Sequence, residues 1–141
     1  MTATGKPDFP NMEVTGAFLT SVGLVFEEVT GQRARGYVEL NADHHTPWGV
    51  VHGGVYTTII ESVASVGASV AVMDKGMFAV GVNNNTDFLS SLREGRVVAE
   101  GEAVHQGRVQ QLWLVELRTE AGKLVARGTV RLQNVPRERP S

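Results

Sequence analysis

The chain has 141 residues, a formal net charge of −2 and a pI of about 6.1. That suits one domain with a real hydrophobic core and argues against a nucleic-acid binder, whose domain would be strongly basic. It has no cysteine, which excludes disulfides, thiolate nucleophiles and cysteine-ligated metals.

The first residues, MTATGKPDFPNMEV, contain no apolar signal core, which points to a cytoplasmic protein. Residues 1–10 read as a loose start, 11–135 as a single domain and 136–141 as a polar, Pro-bounded tail that frays. Asn11 to Ser21 suits a short helix with Met12, Phe18 and Leu19 facing inward. Leu24 to Val29 reads as a short strand, and Gly31 as a turn. From Arg33 to Leu40 the pattern alternates, with Ala34, Gly36, Val38 and Leu40 on one face and Arg33, Arg35, Tyr37 and Glu39 on the other. This is a half-buried strand of a hairpin.

The run from Gly54 to Met73 is almost wholly apolar or small. Val55, Ile59, Val63, Val66 and Val70 keep helical spacing, and Ile60, Ala64, Ala68 and Ala71 fill in around them. A helix apolar nearly all round is a buried one. The run is also long enough to cross a membrane. It carries Thr57, Thr58, Glu61, Ser62, Ser65 and Ser69, however, and no Lys/Arg cluster or aromatic belts flank it. A central core helix is therefore expected, with no membrane partner. Asp74-Lys75-Gly76 ends it, with Gly76 as a left-handed cap. Strand-like segments follow at Phe78–Leu89, Arg96–His105, Val109–Arg118 and Lys123–Gln133. The turns between them predict sequential antiparallel hairpins. Two strands, one long helix and four strands make an α+β domain, a curved antiparallel sheet wrapped around one long central helix.

The chemistry concentrates where the polar loop Asp43-His44-His45-Thr46-Pro47-Trp48-Gly49 runs into His52-Gly53-Gly54. A helix start leaves backbone N–H groups unpaired and carries partial positive charge. Two glycines there let a ligand approach the backbone closely. Glu61 is the one charge on the apolar run. A lone carboxylate two turns into a buried helix is costly unless it has a function or a partner. The competing reading is a structural carboxylate paired with an arginine. The four histidines, His44, His45, His52 and His105, form no set with carboxylates at metal-ligand spacing, so no metal is expected.

Trp48-Gly49-x-x-His52-Gly53-Gly54 with Glu61 downstream resembles the hotdog-fold acyl-coenzyme A thioesterases. More narrowly it is similar to the phenylacetate-pathway type and to the 4-hydroxybenzoyl-coenzyme A thioesterase with a glutamate on the central helix. The resemblance continues in Ala79-Val80-Gly81-x-Asn83-Asn84-Asn85-Thr86-x-Phe88, in Arg93-Glu94-Gly95, in His105-x-Gly107-Arg108 and in Gly122–Gly128. It implies that Gly53 offers its N–H to the thioester carbonyl, with Gly54 beside it. Glu61 then attacks the thioester carbon or activates a water. His52 positions water or the carboxylate, or holds the loop, and Ser65, one turn after Glu61, bonds the carboxylate or a water. It further implies that the coenzyme A nucleotide lies along Gly81, Phe88, Leu89, Ser90 and Ser91 and along His105, Gln106, Gly107, Arg108, Val109 and Gln110, with Asn84 also binding substrate. Arg108 is the phosphate partner in that reading, because guanidinium and phosphate pair bidentately.

Two departures stand out: Thr46 occupies the position of a family Asn or Gln, and Ser90-Ser91 that of an Arg-Pro pair. The implied assembly is a homodimer with sites at the interface, paired further into a dimer of dimers. No cofactor is implied, since coenzyme A belongs to the substrate. The expected activity is hydrolysis of an aroyl- or medium-chain acyl-coenzyme A. The alternative is an acyl-coenzyme A binding domain without turnover.

Overall fold

The computed structural model describes residues 16–137. In chain order these form α1 (Gly16–Val22), β1 (Val25–Val29), β2 (Arg33–Leu40), α2 (Gly53–Val72), β3 (Met77–Phe88), β4 (Gly95–Gln106), β5 (Gln110–Thr119) and β6 (Leu124–Pro136). The strands make one antiparallel six-stranded sheet in the order β1-β2-β4-β5-β6-β3. α2 packs on the inner face of this sheet, which is the α+β layering that the sequence pattern predicts and the hotdog arrangement that the resemblance implied.

The alternation in β2 holds residue by residue: Ala34, Gly36, Val38 and Leu40 are buried. α2 buries Tyr56, Ile59, Ile60, Val63, Ala64, Gly67, Ala68, Ser69 and Val72 against the sheet. Large apolar side chains buried this fully contribute about 1.5–3 kcal/mol each. Helix and sheet lie close at Gly67, where an added Cβ would sit 2.5 Å from Cη2 of the buried Trp113 ring on β5. Helix and sheet also meet through Ser69, whose hydroxyl accepts the Ala79 N–H at 2.9 Å. Met73–Lys75 forms a 3₁₀ turn closed by Gly76 at φ +71°, the left-handed cap expected there. Gly53–Lys75 is long and apolar enough to cross a membrane; in this fold it is the core helix.

Three expectations change. The segments after α2 are not all sequential hairpins, because β3 pairs with β6 and β4 pairs with β2. α2 carries the chain across the sheet face from β2 to the far edge, and only the last strand returns to pair there. Second, α2 is not buried all round: Val55, Val66 and Val70 are partly covered and Glu61 is exposed. One curled sheet covers one side of a helix, and no layer of the described chain covers the other. Third, Phe18 does not face inward; it is 67 % exposed, over the open side of α2. Met12 and the first part of that expected helix lie outside the described residues.

Candidate active site

The loop between β2 and α2 is held by its histidines. The Asn41 N–H donates to His44 Nδ1 at 3.0 Å, which places the His44 proton on Nε2, and that N–H donates to Val22 O at 2.8 Å. His45 Nε2 donates to Arg93 O at 2.6 Å, and Arg93 Nη1 donates to Gly49 O at 3.1 Å. Gly49 turns with φ +79°. Thr46 belongs to this turn, its hydroxyl accepting the Trp48 N–H at 3.2 Å. It leaves Trp48 82 % exposed at the tip.

His52 is the N-cap of α2, its Nδ1 accepting the Gly54 N–H at 2.7 Å. That bond fixes the ring against the first turn of the helix. A side chain at Gly54 would collide with that ring, at 2.9 Å from Nδ1. The Gly53 N–H has no acceptor among the described residues. It therefore stands at the positive end of a 20-residue helix. A Cβ on Gly53 would lie 2.8 Å from the Phe88 ring, so glycine is what admits that ring to the helix start. Phe88 in turn sits 6.0 Å from the Tyr56 ring, centroid to centroid. Around them opens a cleft of about 290 Å³ lined by Val51, Gly53, Tyr56, Phe88, Leu89, Ser90 and Ser91. Burial pushes the Tyr56 phenol up. Its hydroxyl faces the Leu92 backbone without forming a bond of good geometry.

Glu61 occupies the open side of α2. Its Oε1 accepts a long hydrogen bond, 3.4 Å, from Asn84 Nδ2, and its Oε2 lies against Gly81, where a Cβ would be 2.9 Å away. No cation pairs with it among the described residues. Ser65 lies on the same side, half-buried, but the described partner of the carboxylate is Asn84. A hollow of about 390 Å³ in front of Glu61 is lined by Phe18, Thr57, Thr58, Ser62 and Asn84. A larger one, of about 680 Å³, meets it at Phe18 and Thr58 and runs toward His52 and Asp43.

The turn from His105 to Gln110 lies elsewhere. Gln111, 1 % exposed, donates to Ala68 O and to Asn134 Oδ1, both at 2.9 Å. Asn134 in turn holds the Gly107 and Arg108 carbonyls through Nδ2 and the Val109 carbonyl through its backbone N–H. The turn is thus locked beside Ala68, and Arg108 projects from it with no ion-pair partner among the described residues. Ala68 is 15 positions after Gly53, roughly 22 Å along the helix.

The sequence-selected residues therefore fall in three places: Gly53, Gly54 and Phe88–Ser91 at the helix start, Glu61, Gly81 and Asn84 midway, and His105–Gln110 toward the helix end. Reading the sequence missed Thr86, whose hydroxyl donates to Asn84 Oδ1 at 2.7 Å. The available signal was period two, which puts Asn84, Thr86 and Phe88 on one face of β3.

Comparison with known proteins places this arrangement. The thioesterase superfamily pattern matches residues 49–126. A Mycobacterium tuberculosis protein named "Putative esterase Rv1847" is 44 % identical over 133 residues, covering 92 % of this chain and 95 % of that one. Its solved structure superposes with a TM-score of 0.83 at 45 % identity, covering 87 % of this chain and 98 % of that one. The crystal structure of AziG from S. sahachiroi superposes with a TM-score of 0.82 at 42 % identity over 86 % of this chain and 98 % of that one. The 1,4-dihydroxy-2-naphthoyl-CoA hydrolase of Listeria monocytogenes is 30 % identical over 105 residues, 74 % of this chain and 85 % of that enzyme.

Proposed function

Since the chain belongs to the thioesterase superfamily, we propose that it hydrolyses an acyl- or aroyl-coenzyme A, with Glu61 as nucleophile or general base and the Gly53 N–H as the donor to the thioester carbonyl. The observation that carries this reading is an unclaimed N–H at the start of α2 together with a carboxylate on its open side that no cation neutralises among the described residues. A preorganised N–H at a helix start stabilises the oxyanion as the carbonyl carbon becomes tetrahedral. Water, or the carboxylate followed by water, adds to that carbon. The C–S bond breaks, the sulfur leaves as thiolate and takes a proton, and a carboxylic acid and free coenzyme A remain. The Listeria relative, named for a bicyclic aromatic thioester, supports including aroyl groups among the substrates.

In this reading the working unit is a homodimer. β3 is an edge strand exposing Val80 and Val82, and the open side of α2 lies beside it. A second copy seated there would cover both and bring its own helix start toward Glu61. The subtype is the one with its glutamate on the central helix. The test is release of free thiol from a panel of aliphatic and aromatic coenzyme A thioesters. Turnover of at least one class is expected; binding of the panel with no thiol released by any member would replace catalysis with ligand sensing.

The Arg108 turn has a separate test. If Arg108 contacts a phosphate of coenzyme A, Arg108→Ala should raise KM for coenzyme A thioesters by about 10-fold, the scale of one lost charge-assisted bond. KM for a pantetheine thioester, which lacks the nucleotide, should stay put. Equal changes for both substrates would remove Arg108 from nucleotide recognition.

A further inference from the structure

We infer that Asn84 and Thr86 are positioning residues that fix the Glu61 carboxylate, with Gly128 supplying the room Thr86 needs. This rests on the proposed role of Glu61. An exposed glutamate is free to rotate, yet the attacking or base oxygen must be held close to its target geometry for efficient reaction. Asn84 does the holding. Its Nδ2 donates to the Thr57 carbonyl at 3.2 Å and to Glu61 Oε1 at 3.4 Å. A carbonyl and a carboxylate only accept, so both contacts require the NH₂ end, and the amide has one orientation. Its other end is closed by Thr86, whose hydroxyl donates to Oδ1 at 2.7 Å. Thr86 pairs in register with Gly128 on β6. A Cβ at Gly128 would collide with the Thr86 hydroxyl and lie 3.1 Å from Ile60 Cγ2. With Oε1 so engaged and Oε2 against Gly81, the carboxylate has a defined plane before any substrate arrives.

The electrostatic surroundings are simple. Glu61 is the only charge on α2, and α1 has none. β3 presents Gly81 and Asn84 to it. The charges of β3 and β6, Asp87, Arg127 and Arg131, are exposed at positions that alternate with the inward-facing ones.

Asn84 could instead serve only to tie β3 to α2 through Thr57, and the kinetics separate the two roles. With a thioester that the wild-type protein turns over, Asn84→Ala should lower kcat about 10- to 100-fold with KM within about threefold, as for a misplaced reacting group. Thr86→Val should lower kcat by several-fold to about 10-fold, and Thr86→Ser, which keeps the hydroxyl, should retain most of it. Asn84→Asp is isosteric and puts a second carboxylate against Glu61. It should move the acid limb of the pH–rate profile to higher pH, because like charges disfavour ionisation. A tie to Thr57 alone would shift melting temperatures and leave that limb in place. Glu61→Ala is measured in parallel. If it is folded and inactive while the Asn84→Asp limb does not move and Thr86→Val matches Thr86→Ser, the positioning role is overturned and the role of Glu61 stands. If Glu61→Ala keeps turnover, the reading of Glu61 fails and this inference falls with it. Should Asn84→Ala not fold, Asn84→Asp and the Thr86 pair decide.

Discussion

Glu61→Ala is expected to lower thiol release from a coenzyme A thioester by at least about 100-fold, the usual scale for a lost nucleophile or general base. Two features of its surroundings make this a clean measurement. Glu61 is exposed in the single chain and makes no ion pair among the described residues. Removing it therefore leaves no buried charge unpaired, and surface changes of this kind stay within about 0.5 kcal/mol of wild-type stability. Its one described side-chain partner, Asn84, keeps its other bonds, to Thr57 O and from the Thr86 hydroxyl. Loss of activity with an unchanged melting temperature would thus report chemistry rather than unfolding. Glu61→Gln sharpens the result. It preserves the shape and an acceptor for Asn84 but removes the charge, so it should be nearly as inactive as the alanine variant. A folded Glu61→Ala protein that turns over at close to the wild-type rate would take Glu61 out of the mechanism.

The parts of this fold legible in the sequence are those set by local period. The two-residue alternation of Arg33–Leu40 names its element and its inner face, the helical spacing after Gly53 names its element alone, and the structure agrees with both to within a residue or so. Which strand lies beside which is not local information. β3 and β4 follow one another in sequence, yet β3 waits for β6. Nor can hydropathy say which side of an apolar helix a sheet will cover. The pattern of α2 predicts burial all round and makes Glu61 a buried charge; Glu61 lies instead on the side the sheet leaves open. At the site, the cap formed by His52 is not legible in the sequence, because histidine is not among the residues that usually cap a helix start. The link from Glu61 through Asn84 to Thr86 joins residues 23 and 25 positions apart. It exists only because α2 packs beside β3, which nothing in either segment specifies alone.

The same geometry leads to the other large effect, recovery of activity from two inactive proteins. Glu61 is eight positions after Gly53 on one continuous helix, roughly 12 Å along its axis. A nucleophile must approach within about 3–3.5 Å of the carbon whose oxygen the Gly53 N–H would hold. The two groups of one helix cannot reach the same thioester, so if both act they come from different chains. His52→Ala removes the cap that organises the helix start, and Glu61→Ala removes the carboxylate. Each variant, as the proposed homodimer, then carries a lesion in both sites and should be inactive. In a hybrid dimer with shared sites, one site collects both lesions and the other has none. Random exchange makes half of the dimers hybrid, each with one intact site of two, so about a quarter of wild-type activity should return on mixing. If each site lies within a single chain, every site in the hybrid keeps one lesion and nothing returns. Native mass spectrometry establishes that subunits have exchanged, and thiol release measures how much activity the exchange restores. Hybrid dimers present at the expected fraction with no recovered activity would rule out a site shared across the two chains.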